Sequence, residues 1–180
     1  MVAILALLPW AQACPGEEAA CEEKVPLVDV DAWVLVEPDA DAVWPAPEGT
    51  PLCAVDAVQV QQFGGERALE IDTSVTCGWA TVEQPLLASV ATGESLQVRV
   101  FYFSQTSFPA ATAEVGLAVG GEVAMAELVD IPAASGLIAP RLRVQNDAAA
   151  GTPIAFHVGN HGANSWNLLE VSLLRSIPCP

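Results

Sequence analysis

The side chains best equipped for chemistry gather in one stretch, Phe156 to Trp166. His157 and His161 stand four residues apart, with Asn160, Asn164 and Trp166 around them. Imidazoles at that spacing can share a metal on a helix, but along a strand running into a turn successive side chains change sides. No cysteine or carboxylate adjoins them to complete a zinc set, and Glu170 is the nearest acid. The stretch therefore implies neither a metal nor a cofactor. It can hold a saccharide or small polar ligand at the rim of a fold, with amides and imidazoles meeting hydroxyls and an indole meeting the flat face of a ring. The plainer reading is turn geometry, in which Gly159, Gly162 and the asparagines shape the chain and the histidines hydrogen-bond backbone.

Two other groupings have chemical potential. Tyr102, among Val100, Phe101 and Phe103, makes either a covered strand or an aromatic platform helped by Gln97, Arg99 and Gln105. Asp29 with Asp31, and Asp39 with Asp41, offer paired carboxylates of the kind Ca²⁺ uses, but neither pair has the glycine turn and downstream Glu of an EF-hand loop. They read as a solvated acidic segment. The sequence contains no G-x-S-x-G, H-E-x-x-H, P-loop, dinucleotide fingerprint or C-x-x-C. The expectation is a protein that binds rather than catalyses.

The elements that must position these residues are short β-prone runs separated by turn residues. Ala57–Phe63 and Arg67–Val75 flank Gly64-Gly65, and Ala113–Val119 and Glu122–Val129 flank Gly120-Gly121, both two-residue hairpin signals. Trp79–Val82, Ser95–Phe103, Ile138–Val144, Pro153–Val158 and Trp166–Leu174 supply the rest. Leu69, Ile71, Thr73 and Val75 make a mostly apolar face, with Glu70, Asp72 and Ser74 opposite, so one side of a sheet is to be buried. Helical periodicity is weak everywhere except Pro85–Val90, which is too short to change the class. The fold class expected is all-β, a two-sheet antiparallel β-sandwich with jelly-roll or Greek-key connections over residues 51 to 180.

Cys53 and Cys77 lie nearly equidistant from the Gly64-Gly65 turn, so pairing of the two strands would bring them within bridging reach. That makes Cys53–Cys77 the preferred disulfide and leaves Cys21 and Cys179 to pair by exclusion, one of three possible connectivities.

Residues 1 to 13 read as a signal peptide: an apolar run from Val2 to Leu8, a breaker at Pro9, and small residues Ala11 and Ala13 before Cys14. Cleavage there would leave Cys14 either as an acylated N-terminus or as a thiol on a released protein. Lipidation leaves an even number of cysteines, which favours the anchor, while Ala11 stands where a lipobox usually has Leu. Both outcomes are export, to the outer cell surface or the extracellular space. Residues 14 to 50 read as an acidic, proline-rich tether, partly docked through Val25–Val36, with Trp33 and Trp44 packing on the domain.

The formal net charge of −16 rests on 22 acids against 6 bases. Nucleic acid and anionic lipid headgroups both need clustered cations, so neither is an expected partner, and a membrane is reached only through the lipid anchor. Two segments, TCGWATVEQPLL (Thr76–Leu87) and GTPIAFHVGNHGANSWNLLE (Gly151–Glu170), resemble an uncharacterised family of secreted or lipid-anchored domains of myxobacterial type, most specifically in NHGANSWNLLE. Family members often carry an aromatic pair where this chain has Gly78-Trp79. The resemblance implies a β-sandwich and export, and no established activity. The combined expectation is an exported binding module for a saccharide or small polar ligand at residues 157 to 166. The alternative is a structural or adhesive envelope protein that binds other proteins.

Overall fold

The computed structural model describes residues 20–37, 40–74, 77–160 and 162–179. Cys14 and His161 lie outside the described residues, as do Pro38, Asp39, Val75 and Thr76. Twelve strands form two antiparallel sheets: β1 (Ala20–Pro26), β2 (Val34–Leu35), β3 (Val58–Phe63), β4 (Glu66–Asp72), β5 (Trp79–Pro85), β6 (Ser95–Tyr102), β7 (Ala111–Val119), β8 (Glu122–Ile131), β9 (Gly136–Ile138), β10 (Arg141–Arg143), β11 (Pro153–Gly159) and β12 (Ser165–Pro178). One sheet runs β10-β6-β12-β4-β3, with β1 on β12 and β9 on β6, and the other runs β2-β5-β11-β7-β8. The chain crosses repeatedly between the layers, so the result is the expected two-sheet sandwich.

Local chemistry explains the elements. The hairpins β3–β4 and β7–β8 turn on Gly64-Gly65 (φ 58° and 92°) and Gly120-Gly121 (φ 60° and 83°). Two consecutive positive φ values match the twist of the flanking strands, and glycine reaches them without Cβ strain. Alternation buries Leu69, Ile71, Val98, Val100, Val115, Leu117, Phe156 and Val158 between the sheets, together with Trp166 and Leu168. The long β12 breaks its own alternation. A register shift against β6 between Leu168 and Glu170 adds one residue, so Val171 and Leu173 return to the core while Glu170 faces outward. A regular strand would have driven that carboxylate inside.

Several boundaries differ from the sequence expectation: β4 ends at Asp72, β5 runs on to Pro85 and β8 to Ile131, and three further differences follow from strand pairing. The run expected over Ile138–Val144 is interrupted at Ala139-Pro140 and becomes β9 and β10, which pair with different stretches of β6. Val25–Val36 does not dock as one strand: β1 joins β12 in the seven-stranded sheet and β2 joins β5 in the five-stranded one. Trp166–Leu174 continues to Pro178 because β1 gives the C-terminal half a partner.

Both expected disulfides are present. Cys53–Cys77 closes the β3–β4 hairpin with Cα atoms 4.8 Å apart, and Cys21–Cys179 ties β1 to the end of β12 at 5.0 Å. Loops of these lengths correspond to roughly 3–5 kcal/mol each in the chain-entropy model. Among the described residues no helix is long and apolar enough to cross a membrane.

Candidate functional site

The 157–166 stretch separates into two interior clusters. His157, 3% exposed, points to the outer side of the five-stranded sheet, where its Nδ1 lies 2.8 Å from Thr81 Oγ1. That side is not open. Residues 40 to 47 cross it, and the Trp44 indole lies flat on the imidazole with centroids 4.9 Å apart and planes within 6°, while Trp79 meets the imidazole edge-on. Gly116 forms the floor beneath Trp44: a Cβ there would lie 2.4 Å from Trp44 Cζ2. Trp44 Nε1 donates to Glu114 Oε1 at 3.2 Å, Trp79 Nε1 donates to the Trp44 carbonyl at 3.1 Å, and Asp41 Oδ1 accepts from Val43 N and Trp44 N. Burial pushes the His157 imidazole down to about 4, against the opposing pull of Asp41 and a hydrogen bond with the Ala80 backbone. The ring is therefore neutral at neutral pH.

Asn160, Asn164 and Trp166 form the other cluster, under the turn. Asn160 Nδ2 donates to Thr73 Oγ1 (2.7 Å) and to the Gly162 carbonyl (2.9 Å), and its Oδ1 accepts from Asn164 Nδ2 (3.0 Å) and Trp166 Nε1 (3.3 Å). Asn164 Oδ1 accepts from Thr106 N at 2.8 Å. Asn160 and Asn164 are buried and Trp166 has no exposed surface. Of the four residues expected around one rim pocket, His157 lies beneath Trp44 and meets Thr81, while Asn160, Asn164 and Trp166 bond one another; all four are buried, and clefts of about 430 and 290 Å³ border Asn160, the second also reaching His157. Burial demands that pairing, since an unpaired buried amide costs about 1–3 kcal/mol. Among the described residues no group of three or more His, Cys, Asp or Glu could hold a metal ion.

The other sequence candidates resolve similarly. Tyr102 packs against Trp166 at 5.2 Å rather than offering a platform, and Gln105 is buried, donating to the Phe103 carbonyl. Asp31 forks with Arg67, with one contact at 2.7 Å, and Asp29 Oδ1 accepts from Asp31 N.

What the sequence reading missed lies on the outer side of the seven-stranded sheet. Register places Gln59 opposite Glu70, Glu70 opposite Asn167 and Asn167 opposite Phe101, so one polar row crosses β3, β4, β12 and β6. Glu70, 7% exposed, accepts from Gln59 Nε2 (3.0 Å), Gln61 Nε2 and Ser165 Oγ, and Asn167 Nδ2 donates to Ser165 Oγ (3.3 Å). Beside the row stand three phenylalanines. Phe63 lies 4.5 Å from Phe101 and 5.8 Å from Phe103, which is 50% exposed. Phe63 belongs to β3, which two strands separate from β6, a flat-sheet distance of about 14 Å. Contact between their rings requires the β3–β4 hairpin to curl over the sheet, which makes the face concave.

Toward β1 the same face deepens into a cleft of about 390 Å³ lined by Lys24, Trp33, Glu66, Arg99, Glu170 and Ser172 among others. Arg99 Nη1 reaches both Glu66 (3.4 Å) and Glu170 (3.3 Å), and Lys24 pairs with Glu170 at 2.8 Å. Burial pushes Glu170 up, but hydrogen bonds from Lys24, Ser172 and Arg99 outweigh it and hold the carboxyl below the usual range. Both cations of the cleft are thus compensated by carboxylates. The exposed groups of this face are Phe103 and the amides of Gln59 and Gln61, which can meet a ring and its hydroxyls, while Glu70 and Asn167 lie buried beneath them, and among the described residues neither cation of the cleft lacks a carboxylate partner. The strand alternation Gln59, Gln61, Phe63 carried part of this signal, but the curl that brings Phe63 to Phe101 has no local signature.

No family model matches this sequence, and no curated protein does. Solved structures do. TmCBM27, a carbohydrate-binding module with specific mannan recognition, aligns with a TM-score of 0.53 at 12% identity, over 87% of this chain and 99% of that one. CBM28, a module specific for non-crystalline cellulose, gives 0.49 at 10% identity, over 92% and 99%. An arabinose-bound MgGH51 α-L-arabinofuranosidase gives 0.47 at 14% identity over 84% of this chain, which spans only 24% of that enzyme's length. The likeness to TmCBM27 is one of fold, a two-sheet antiparallel β-sandwich.

Proposed function

We propose that this chain is a saccharide-binding module, acting without catalysis, whose ligand lies across the concave outer face of the seven-stranded sheet. The observation that carries this is the juxtaposition of a half-exposed Phe103, backed by Phe63 and Phe101, with the row Gln59, Gln61, Glu70, Ser165 and Asn167. Pyranose rings present C–H faces that stack on aromatic rings, and hydroxyls that pair with amides and carboxylates. The charge on this face favours a neutral saccharide, because Glu66, Glu70, Asp72 and Glu170 outnumber Arg99 and Lys24 there. The mannan recognition of a fold neighbour supports the reading, although a shared sandwich alone does not transfer a function.

The proposal includes export. Two disulfides suit an oxidising compartment, and acylation at Cys14 would hold the module at the outer surface. Membership of the myxobacterial-type secreted family belongs to the same reading. The protein-binding alternative would use the edge strand β8, where Val123 and Leu128 are exposed. Glu122, Glu127 and Asp130 on the same edge oppose pairing with another strand.

The test is affinity electrophoresis in neutral polysaccharides, mannan and amorphous cellulose included, comparing the unaltered chain with a Phe101→Ala/Phe103→Ala variant. Retardation of the former and a loss of about tenfold or more in affinity for the latter are expected. Equal retardation of both would contradict the proposal, as would none with any neutral polysaccharide.

A further inference from the structure

A second cavity, of about 350 Å³, opens between the two layers at one end of the sandwich. Its floor is apolar and reaches the core, with Leu27 following β1, Val90 in the β5–β6 connection, Leu96 on β6 and Val119 on β7. Val123, half exposed, forms an apolar lip. The volume falls at the low end of the range of about 300–1,000 Å³ typical of small-molecule sites.

The mouth is distinguished by Arg143. Of the six basic residues, Lys24, Arg67, Arg99, Arg141 and Arg175 each pair with a carboxylate within 3.4 Å. Among the described residues Arg143 has no such partner, although the chain carries a net charge of −16. One of its nitrogens donates to the Gly93 carbonyl at 2.6 Å, leaving the rest of the guanidinium for another acceptor. Two carboxylates share the mouth without an ion pair to Arg143: Asp147 accepts from Thr92 N (2.7 Å) and Thr92 Oγ1 (2.8 Å), and Glu122 accepts from Asn146, so each is bonded to neutral donors and keeps its charge. A guanidinium without a direct carboxylate partner above an apolar shaft suits an alkyl chain with a small anionic head, and the two carboxylates at the mouth favour the singly charged carboxylate over a more highly charged phosphate.

We infer that this cavity binds a medium-chain fatty acid, its tail against Leu27, Val90 and Leu96 and its carboxylate on Arg143. The site is separate from the saccharide face and does not depend on that reading. The test is calorimetric titration of the full chain with decanoate and with decanol, both below micellar concentration. Variants Arg143→Gln and Ala124→Trp, the second filling the shaft from β8, are titrated alongside. Decanoate is expected to bind the unaltered chain more tightly than decanol does, to weaken about tenfold or more in Arg143→Gln, and to be lost in Ala124→Trp. Decanol affinity should not change in Arg143→Gln. Absence of decanoate binding by the unaltered chain would overturn the inference, and so would decanoate affinity unchanged in both variants. Equal affinity for decanol and decanoate would overturn the assignment of the head group. Phe101→Ala/Phe103→Ala should bind decanoate normally, which keeps failure of this site distinct from failure of the other.

Discussion

The two outer faces of this sandwich use similar residues to opposite ends. On the five-stranded sheet an aromatic ring, an imidazole and a carboxylate come together, but Trp44 from the crossing segment lies on His157 and Gly116 and bonds Glu114. That face has been filled by the chain itself. On the seven-stranded sheet Phe63, Phe101 and Phe103 stand beside exposed Gln59 and Gln61, with Glu70 and Asn167 buried beneath, and among the described residues no segment seals Phe103, which keeps half its surface in solvent. A set of ligand-type residues is therefore a poor guide until its covering is known. The same indole, imidazole and carboxylate are structural where the chain seals them.

Breaking the sealed face should have the largest effect. Trp44→Ala removes a buried indole together with its bond to Glu114, and a loss of about 3–5 kcal/mol is expected in chemical denaturation. The same variant should bring the His157 imidazole back toward its ordinary value of 6.5, because burial is what lowers it. A drop of less than about 1 kcal/mol would mean that the segment is only loosely seated.

The next effect is a pH dependence. His157 titrates near 4 in the fold against 6.5 ordinarily, so as pH falls the unfolded chain takes up the proton first. Stability from this group is complete above about 6.5, is lost progressively as pH falls toward about 4, and changes no further once the folded imidazole is also protonated. The loss is on the order of 3 kcal/mol. Carboxylates such as Glu170 give both chains some acid slope, so the His157 contribution is the additional slope of the unaltered chain over His157→Gln, whose side chain at 157 cannot titrate. Parallel curves for the two would show that the ring is not shielded.

The open face should respond in the opposite sense. Gln59→Ala with Gln61→Ala removes two exposed side chains that cover and bond Glu70, and water can take their place on the carboxylate, so stability should shift by less than about 1 kcal/mol. Saccharide affinity should fall about tenfold. A large stability loss without an effect on binding would reassign the row to scaffolding.

Much of the fold was legible because its signals are local. The Gly-Gly pairs marked both hairpins, alternation set which residues face inward, and the placing of Cys53 and Cys77 about one turn predicted their bridge. The site was less so. The histidine and asparagines of 157–166 carry the composition of a binding loop, but whether Trp44 covers His157 depends on a contact between residues more than a hundred positions apart. The meeting of Phe63 with Phe101 depends on sheet curl, and the outward turn of Glu170 depends on one extra residue in β12, which alternation alone misassigns. Both are products of strand pairing, which no short stretch of sequence encodes.

The most direct test is amide chemical-shift mapping of the full chain titrated with soluble neutral oligosaccharides derived from mannan and cellulose. The account predicts perturbations centred on Gln59, Gln61, Phe63, Phe101, Phe103 and Asn167, with Trp44, Trp79 and His157 unmoved. Perturbations centred on Trp44, Trp79 and His157 instead would contradict it, and would mean that the segment over the five-stranded sheet gives way to the ligand.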